Sequence, residues 1–243
     1  MGEFMKYRYE YLDPNPYSRP QRKLESVNGI VIHWVGNPMS TDYQNKQFFN
    51  NRKYGNDGYG SAHIIIDLDG SILEVIPLNE MAYHVGANSY VGGIQDKLNH
   101  IYPNAVTIGI EMTHPDWTGK PTDETYNATV LLVSRLCEQY GLDPNKDIYR
   151  HYDITGKECP RYFVNNPSEF IKFKKEVYDN MSNKMNDWQK KMAIDAINEL
   201  DEAGIIQDPD MHIENLENDI MPQWLIWELF RRINNKIDNL KIV

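Results

Sequence analysis

The chain has 243 residues, 41% of them hydrophobic and 12% aromatic, with a formal net charge of −10. That composition supports one sizeable core plus a smaller unit and excludes a disordered or low-complexity chain. The acidic balance argues against a general nucleic-acid binder, which needs clustered Lys and Arg, and no stretch approaches the roughly 20 apolar residues of a membrane helix, so neither nucleic acid nor membrane is an expected partner.

Residues 1–4, "MGEF", read as an expression-vector remnant and are set aside. Residues 5–28 are polar and proline-containing, and predict an extended arm over the core. "GIVIHWV", from Gly29, is a β-branched apolar run, the mark of a buried strand. "TDYQNKQFFNNR" predicts a short helix. "SAHIIIDLDGSILEVIP" predicts two strands joined at Asp69-Gly70, a strong hairpin signal. "NAVTIGIEMTH" is a further buried strand ending in polar residues. In "TDETYNATVLLVSRLCEQYG", Val130, Val133, Cys137 and Tyr140 form an apolar stripe, and Gly141 stands where a helix stops. "NNPSEFIKFKKEVYDN" opens with Asn166, Pro167 and Glu169, a good helix start.

The texture changes near residue 181. "MSNKMND" is a candidate linker, followed by two helices and no strand signal. The first, at about 187–203, repeats Trp188, Met192, Ala196 and Leu200; the second, at about 222–237, carries Trp224, Trp227, Phe230 and Ile233. The expected fold class is α/β, with a central mixed β-sheet flanked by helices over residues 5–180 and a small all-α module over 181–243.

Two cysteines, Cys137 and Cys159, make no disulfide framework and point to a reducing compartment. No basic-then-apolar signal peptide opens the chain. The expectation is synthesis in the cytoplasm, with any action outside the cell following release by another route.

The chemistry concentrates in "RHYDITGKECP", residues 150–160, which holds a histidine, a lysine and one of the two cysteines. Imidazole nitrogen and thiolate sulfur are good zinc ligands, and a catalytic zinc keeps three protein ligands plus water. His33, at the end of a predicted strand, could join His151 and Cys159 at one sheet edge. The alternative from spacing alone is two solvated histidines and a buried thiol, since the ligands lie far apart and no HExxH is present.

"IVIHWVGNP", "SAHIII", "AYHVGAN", "IGIEM" and "RHYDITGKECPRYF", in this order and spacing, resemble the zinc-dependent N-acetylmuramoyl-L-alanine amidases of the amidase-2 family. That group includes phage endolysins, bacterial autolysins and the related peptidoglycan-recognition proteins. The resemblance covers roughly residues 24–178. It implies that His33, His151 and Cys159 bind Zn2+. It implies that Glu111 takes a proton from the zinc-activated water and returns it to the leaving amine, and that Lys157 stabilises the oxyanion. Some phage amidases of the group have Tyr before the histidine of "SAHIII" and lack the acid of "IGIE". Ala62 stands at that position here, so the proton-handling role falls to Glu111.

The remaining candidates are weaker. His63 and His84 match histidines of the pattern and are expected to touch substrate or support the zinc ligands, although His63 also suits a purely structural role. Asn37, Tyr83 and Asn88 sit in loops expected beside the metal and are candidate contacts to sugar or stem peptide. His114 is expected in a loop, His100 and His212 in solvent, and Cys137 in the core. Asp153 and Thr155 either orient His151 or make the turn.

The implied partner is cell-wall peptidoglycan, cut between N-acetylmuramic acid and L-alanine. The implied setting is an endolysin of phage or prophage origin with a Gram-positive, clostridia-like host, acting on the wall after release. Residues 181–243 resemble small helical tails of such amidases and are expected to bind the wall. With 7 Lys+Arg against 12 Asp+Glu, this module is poorly suited to hold anionic polymers by bulk charge. A wall glycan recognised through Trp224 or Trp227, use of those rings as core, and dimerisation all stay open. The alternative functional reading is a catalytically inactive peptidoglycan-binding protein on the same fold.

Overall fold

The apolar runs of the sequence pair into one six-stranded sheet. The computed structural model describes residues 6–181 and 187–217. Its strands are β1 (Tyr7–Tyr9), β2 (Gly29–Trp34), β3 (Ile64–Ile66), β4 (Ile72–Glu74), β5 (Thr107–Met112) and β6 (Ile148–Arg150), in spatial order β1-β4-β3-β5-β2-β6. Only β3 and β4 pair antiparallel, through the Asp69-Gly70 turn; the other pairs are parallel, so the sheet is mixed. Gly70 has φ 76°, the left-handed conformation this turn requires.

Strand alternation sorts the core onto two faces. Ile30 and Ile32 of β2 and Ile108 and Ile110 of β5 pack under α3 (Asp123–Tyr140) and α7 (Pro167–Met181). Helix α3 buries Val130, Val133 and Cys137 as its spacing predicts, with Leu132 and Leu136 beside them. Thr122 caps its first turn by accepting from Thr125 N, and Gly141 closes it at φ 67°. Phe163, Phe170 and Phe173 fill the space between α3 and α7.

On the opposite face Val31 and Tyr149 pack with Val85, Ile94 and Leu98. Leu12 and Phe49 cover Ile65 and Leu73; Phe49 belongs to α1 (Asp42–Asn51), whose N-terminus carries the Thr41–Gln44 capping box. Short helices α2 (Ile94–Lys97), α4 (Pro144–Asp147), α5 (His151–Thr155) and α6 (Arg161–Asn165) complete this unit.

The arm is not wholly irregular. Tyr7–Tyr9 adds to the sheet edge beside β4, and Tyr7 and Tyr11 both donate to the Glu74 carboxylate, at 2.6 and 3.1 Å.

Contacts divide the chain into Met1–Met181 and Ser182–Val243. In the second unit α8 (Asp187–Glu202) and α9 (Pro209–Glu217) form a helical pair around Ile197 and Ile206. The expected stripe on α8 needs correction. Ala196 is exposed, and the inward positions are Ala193, Ile194, Ile197 and Leu200. A strict four-residue step advances 400° and so drifts about 40° per step off one helix face, whereas alternating threes and fours stays on it. The side chains of Trp188 and Met192, and the predicted helix at 222–237 with Trp224 and Trp227, lie outside the described residues. His212, expected in solvent, is buried. No helix among the described residues is long and apolar enough to cross a membrane.

Candidate active site

Two parallel strands in register set the first two positions. His33 of β2 pairs with Glu111 of β5. Because Ile32 and Ile110 face the α3 side, His33 and Glu111 emerge together on the other face, near the C-terminal ends of their strands.

The third and fourth positions come from the stretch after β6. Strand β6 pairs Arg150 with Ile32, and the chain turns at once into α5, whose first residue is His151. Asp153 makes that turn possible. It accepts from the Arg150 backbone N–H at 2.8 Å and pairs with the Arg150 guanidinium at 2.6 Å. Gly156, at φ 80°, ends the helix. The chain then doubles back, and Tyr152 N–H donates to the Cys159 carbonyl at 2.9 Å. What reads in sequence as a turn-rich loop is one helical turn and a returning strap that delivers Cys159 beside His151.

One ligand atom from each of His33, His151 and Cys159 lies within 4.8 Å of the others, and all three residues are buried. Cys159 Sγ is 3.7 Å from His33 Nδ1, and the two imidazole centroids are 4.7 Å apart. His151 Nδ1 and Glu111 Oε2 are buried without a hydrogen-bond partner. Orphaned polar atoms of this kind are costly unless something completes them. Two nitrogens and a sulfur at this separation match the donor preference of zinc.

Burial sets the protonation states. It pushes His33 well below the usual imidazole range, helped by the neighbouring His151, and holds His151 at about 4. Both are therefore neutral, the metal-binding form. Burial, with the Glu111 carboxyl nearby, lifts the Cys159 thiol to about 12, so an adjacent cation is what would ionise it. Glu111 is raised to about 8 by burial, opposed by the Lys157 ammonium. Lys157 is exposed, yet its charge bears on His33, His151, Glu111 and Cys159 alike, which puts it at the mouth of the cluster.

The cluster opens into a cleft of about 1160 Å³ lined by Tyr83, His84, Asn88 and Lys157 among others. One expected contact is corrected. His63 is fully buried and already satisfied: its Nδ1 accepts from Gly109 N–H at 3.0 Å and its Nε2 donates to the Glu80 carbonyl at 2.9 Å. Its role is to hold the backbone of β5. Asn37 is exposed and directly follows Gly36, which lines the cleft; its backbone carbonyl accepts from the Ser40 hydroxyl. His114 lies in the loop after β5, as expected. It is buried, stacked on Trp34 at 4.7 Å, and bonded to the carbonyls of Val35 and Asp116.

The sequence reading missed the cationic and aromatic rim: Arg22, Phe48, Arg52, Tyr59 and Arg161. These come from four separate segments, so no local pattern announces them. Arg161 alone had a signal, standing two residues after Cys159; its guanidinium lies 4.7 Å over the Trp34 ring.

A family model described as N-acetylmuramoyl-L-alanine amidase matches residues 23–162. Among curated relatives, the chain is 37% identical over 182 residues to N-acetylmuramoyl-L-alanine amidase BlyA of Bacillus subtilis, covering 72% of this chain and 47% of that protein. It is 34% identical over 177 residues to N-acetylmuramoyl-L-alanine amidase CwlL of Bacillus licheniformis, with the same 72% and 47% coverage. The chain thus spans about half the length of the curated relatives it matches. Two solved structures share the fold. The catalytic domain of XlyA aligns with TM-score 0.55 at 20% identity, covering 71% of this chain and 99% of that one. PlyL aligns with TM-score 0.56 at 18% identity, covering 71% and 97%. With the family model covering more than half of its length, this chain belongs to the N-acetylmuramoyl-L-alanine amidase family.

Proposed function

We propose that the chain is a peptidoglycan hydrolase that cleaves the amide bond between N-acetylmuramic acid and the L-alanine of the stem peptide. Family membership and the names of the relatives support the substrate class. The observation that carries the reaction type is the convergence of three ligand atoms and the unpartnered Glu111 carboxyl at the ends of adjacent strands.

His33, His151 and Cys159 would hold a zinc ion, which would supply Lewis acidity toward water and the scissile carbonyl. Glu111 takes the proton of the attacking water and hands it to the departing L-alanine amine, the acid–base role open to a carboxyl placed beside the ligand cluster. The Lys157 ammonium stabilises the negative charge that develops on the carbonyl oxygen. Tyr83 and Asn88 contact sugar or stem peptide from the cleft wall.

The setting we favour is a phage or prophage endolysin with a clostridia-like host, made in the cytoplasm and reaching the wall on release. Residues 181–243 would then bind a wall glycan. The binding-only alternative has less support, because binding alone gives no reason to keep Glu111, with its buried and unpartnered Oε2, beside a full ligand set.

The deciding experiment incubates the purified chain with cell walls, with and without a chelator. Chelator-sensitive release of L-alanine amino termini without new reducing sugar ends is the expected result. Wall binding without release would overturn the enzymatic reading.

A further inference from the structure

We propose that His84 is a positioning residue that fixes His33 in its Nε2–H tautomer, leaving Nδ1 of His33 bare toward the ligand cluster. The inference rests on the metal reading above and goes beyond it by assigning where each proton sits and what puts it there.

The proton positions are set from a backbone carbonyl. His84 Nε2 lies 3.2 Å from the Thr107 carbonyl oxygen and 3.2 Å from Thr107 Oγ1. A carbonyl can only accept. The Thr107 hydroxyl proton is already given to the Pro103 carbonyl at 2.7 Å, so Oγ1 also presents only lone pairs. His84 Nε2 must therefore carry the proton, and in the neutral ring Nδ1 is then an acceptor. That Nδ1 is 3.0 Å from His33 Nε2. His33 Nε2 must donate, and the remaining lone pair of neutral His33 sits on Nδ1, the nitrogen facing Cys159 Sγ at 3.7 Å. One peptide carbonyl at the start of β5 thus selects, through two imidazoles, which nitrogen of His33 can bind a cation. Fixing the tautomer of a ligand histidine through its other nitrogen is how surrounding hydrogen bonds raise metal affinity.

His84 is built into place independently of any ligand. Asn104 Oδ1 accepts from the backbone N–H groups of His84 and Val85 at 3.0 and 2.8 Å, and Asn104 Nδ2 donates to the Tyr102 hydroxyl at 2.7 Å. The ring lies against Gly109, where an added Cβ would fall 2.5 Å from His84 Cγ. Any other residue at 109 would displace the imidazole.

The test uses the full chain with 15N-labelled histidine. In the metal-free wild type, long-range 1H–15N correlations are expected to show His33 as Nε2–H and His84 as Nε2–H. His84→Phe removes the acceptor and is expected to populate the Nδ1–H form of His33 and weaken zinc binding, measured by competition with a chromophoric chelator, by about 10- to 100-fold. His84→Asn returns an acceptor near the Nδ1 position and is expected to restore both readouts toward wild type. Wild-type His33 found as Nδ1–H overturns the proposal, and needs no variant to fold. Equal loss in the Phe and Asn variants also overturns it, by assigning His84 to packing alone. A wild-type chain with His33 in the Nε2–H form that binds no zinc refutes the metal reading and leaves the tautomer assignment standing.

Discussion

At the residue scale, burial drives the imidazoles and Glu111 of the cluster in opposite senses. His33, His63, His84 and His151 are all lowered below the ordinary imidazole value by burial. Their folded-state values lie below the unfolded value of about 6.5, so the metal-free protein loses stability as pH falls from there toward 4. Glu111 has a folded value of about 8 against 4.5 unfolded. Its neutral form suits the fold, so stability is lost as pH rises from about 4.5 to about 8. Denaturant midpoints of the metal-free chain between pH 5 and 9 should show Glu111→Gln gaining on wild type as pH rises, with no further gain above about 8; a constant difference across that range would count against the raised value. In the metal-loaded chain the same substitution should keep zinc and slow release of L-alanine amino termini by at least about 100-fold; undiminished release would remove Glu111 from the mechanism. The His33, His151 and Cys159 cluster was legible in sequence because His and Cys are rare and their chemistry is narrow. His63 was harder, because sequence order does not say which way a side chain points or whether its polar atoms are already used.

At the scale of elements, length decided what could be read, except where the Asp69-Gly70 turn announced the three-residue strands β3 and β4. β2, β5, α3 and α7 are long enough to display their periods, and each is found where its pattern predicts. β1 and β6 have three residues apiece and α5 five, too few for a period to appear. They exist because neighbours hold them: Glu74 for β1, the β2 edge for β6, the Arg150–Asp153 pair for α5. The joint between α3 and α7 depends on Phe173, which is fully buried against Tyr126, Phe163 and Phe170. Phe173→Ala should cost about 3–5 kcal/mol of unfolding free energy, read from denaturant titration with metal present; a loss under about 1 kcal/mol would mean the aromatic cluster is not what joins the two helices.

For the whole molecule, the apolar clusters around the sheet are built, among the described residues, from residues up to Met181. Met1–Met181 forms a compact unit by itself and carries His33, His151 and Cys159. A chain truncated after Met181 is expected to retain its midpoint of unfolding and its activity on small muropeptide fragments, while binding intact walls less tightly in a sedimentation assay. Equal wall binding by the two forms would end the targeting role proposed for the tail. Sequence alone could divide the chain here because strand signals stop where the helical texture begins. It could not assemble the cleft rim, whose arginines and aromatics are scattered from Arg22 to Arg161 and meet only through the sheet.

The pairing of His33 with Glu111 across β2 and β5 has a further consequence. The separation between a ligand and the proposed base is set by the spacing of hydrogen-bonded strands, about 4.8 Å, and by no loop. Of the rim residues, Arg22 and Tyr59 lie on connections, which can lengthen, shorten or change side chains without moving either group. The cleft walls and the strand-borne pair are thus mechanically separable in this fold: the loops around Tyr59 and Asn88 can be varied while His33 and Glu111 stay at a fixed gauge.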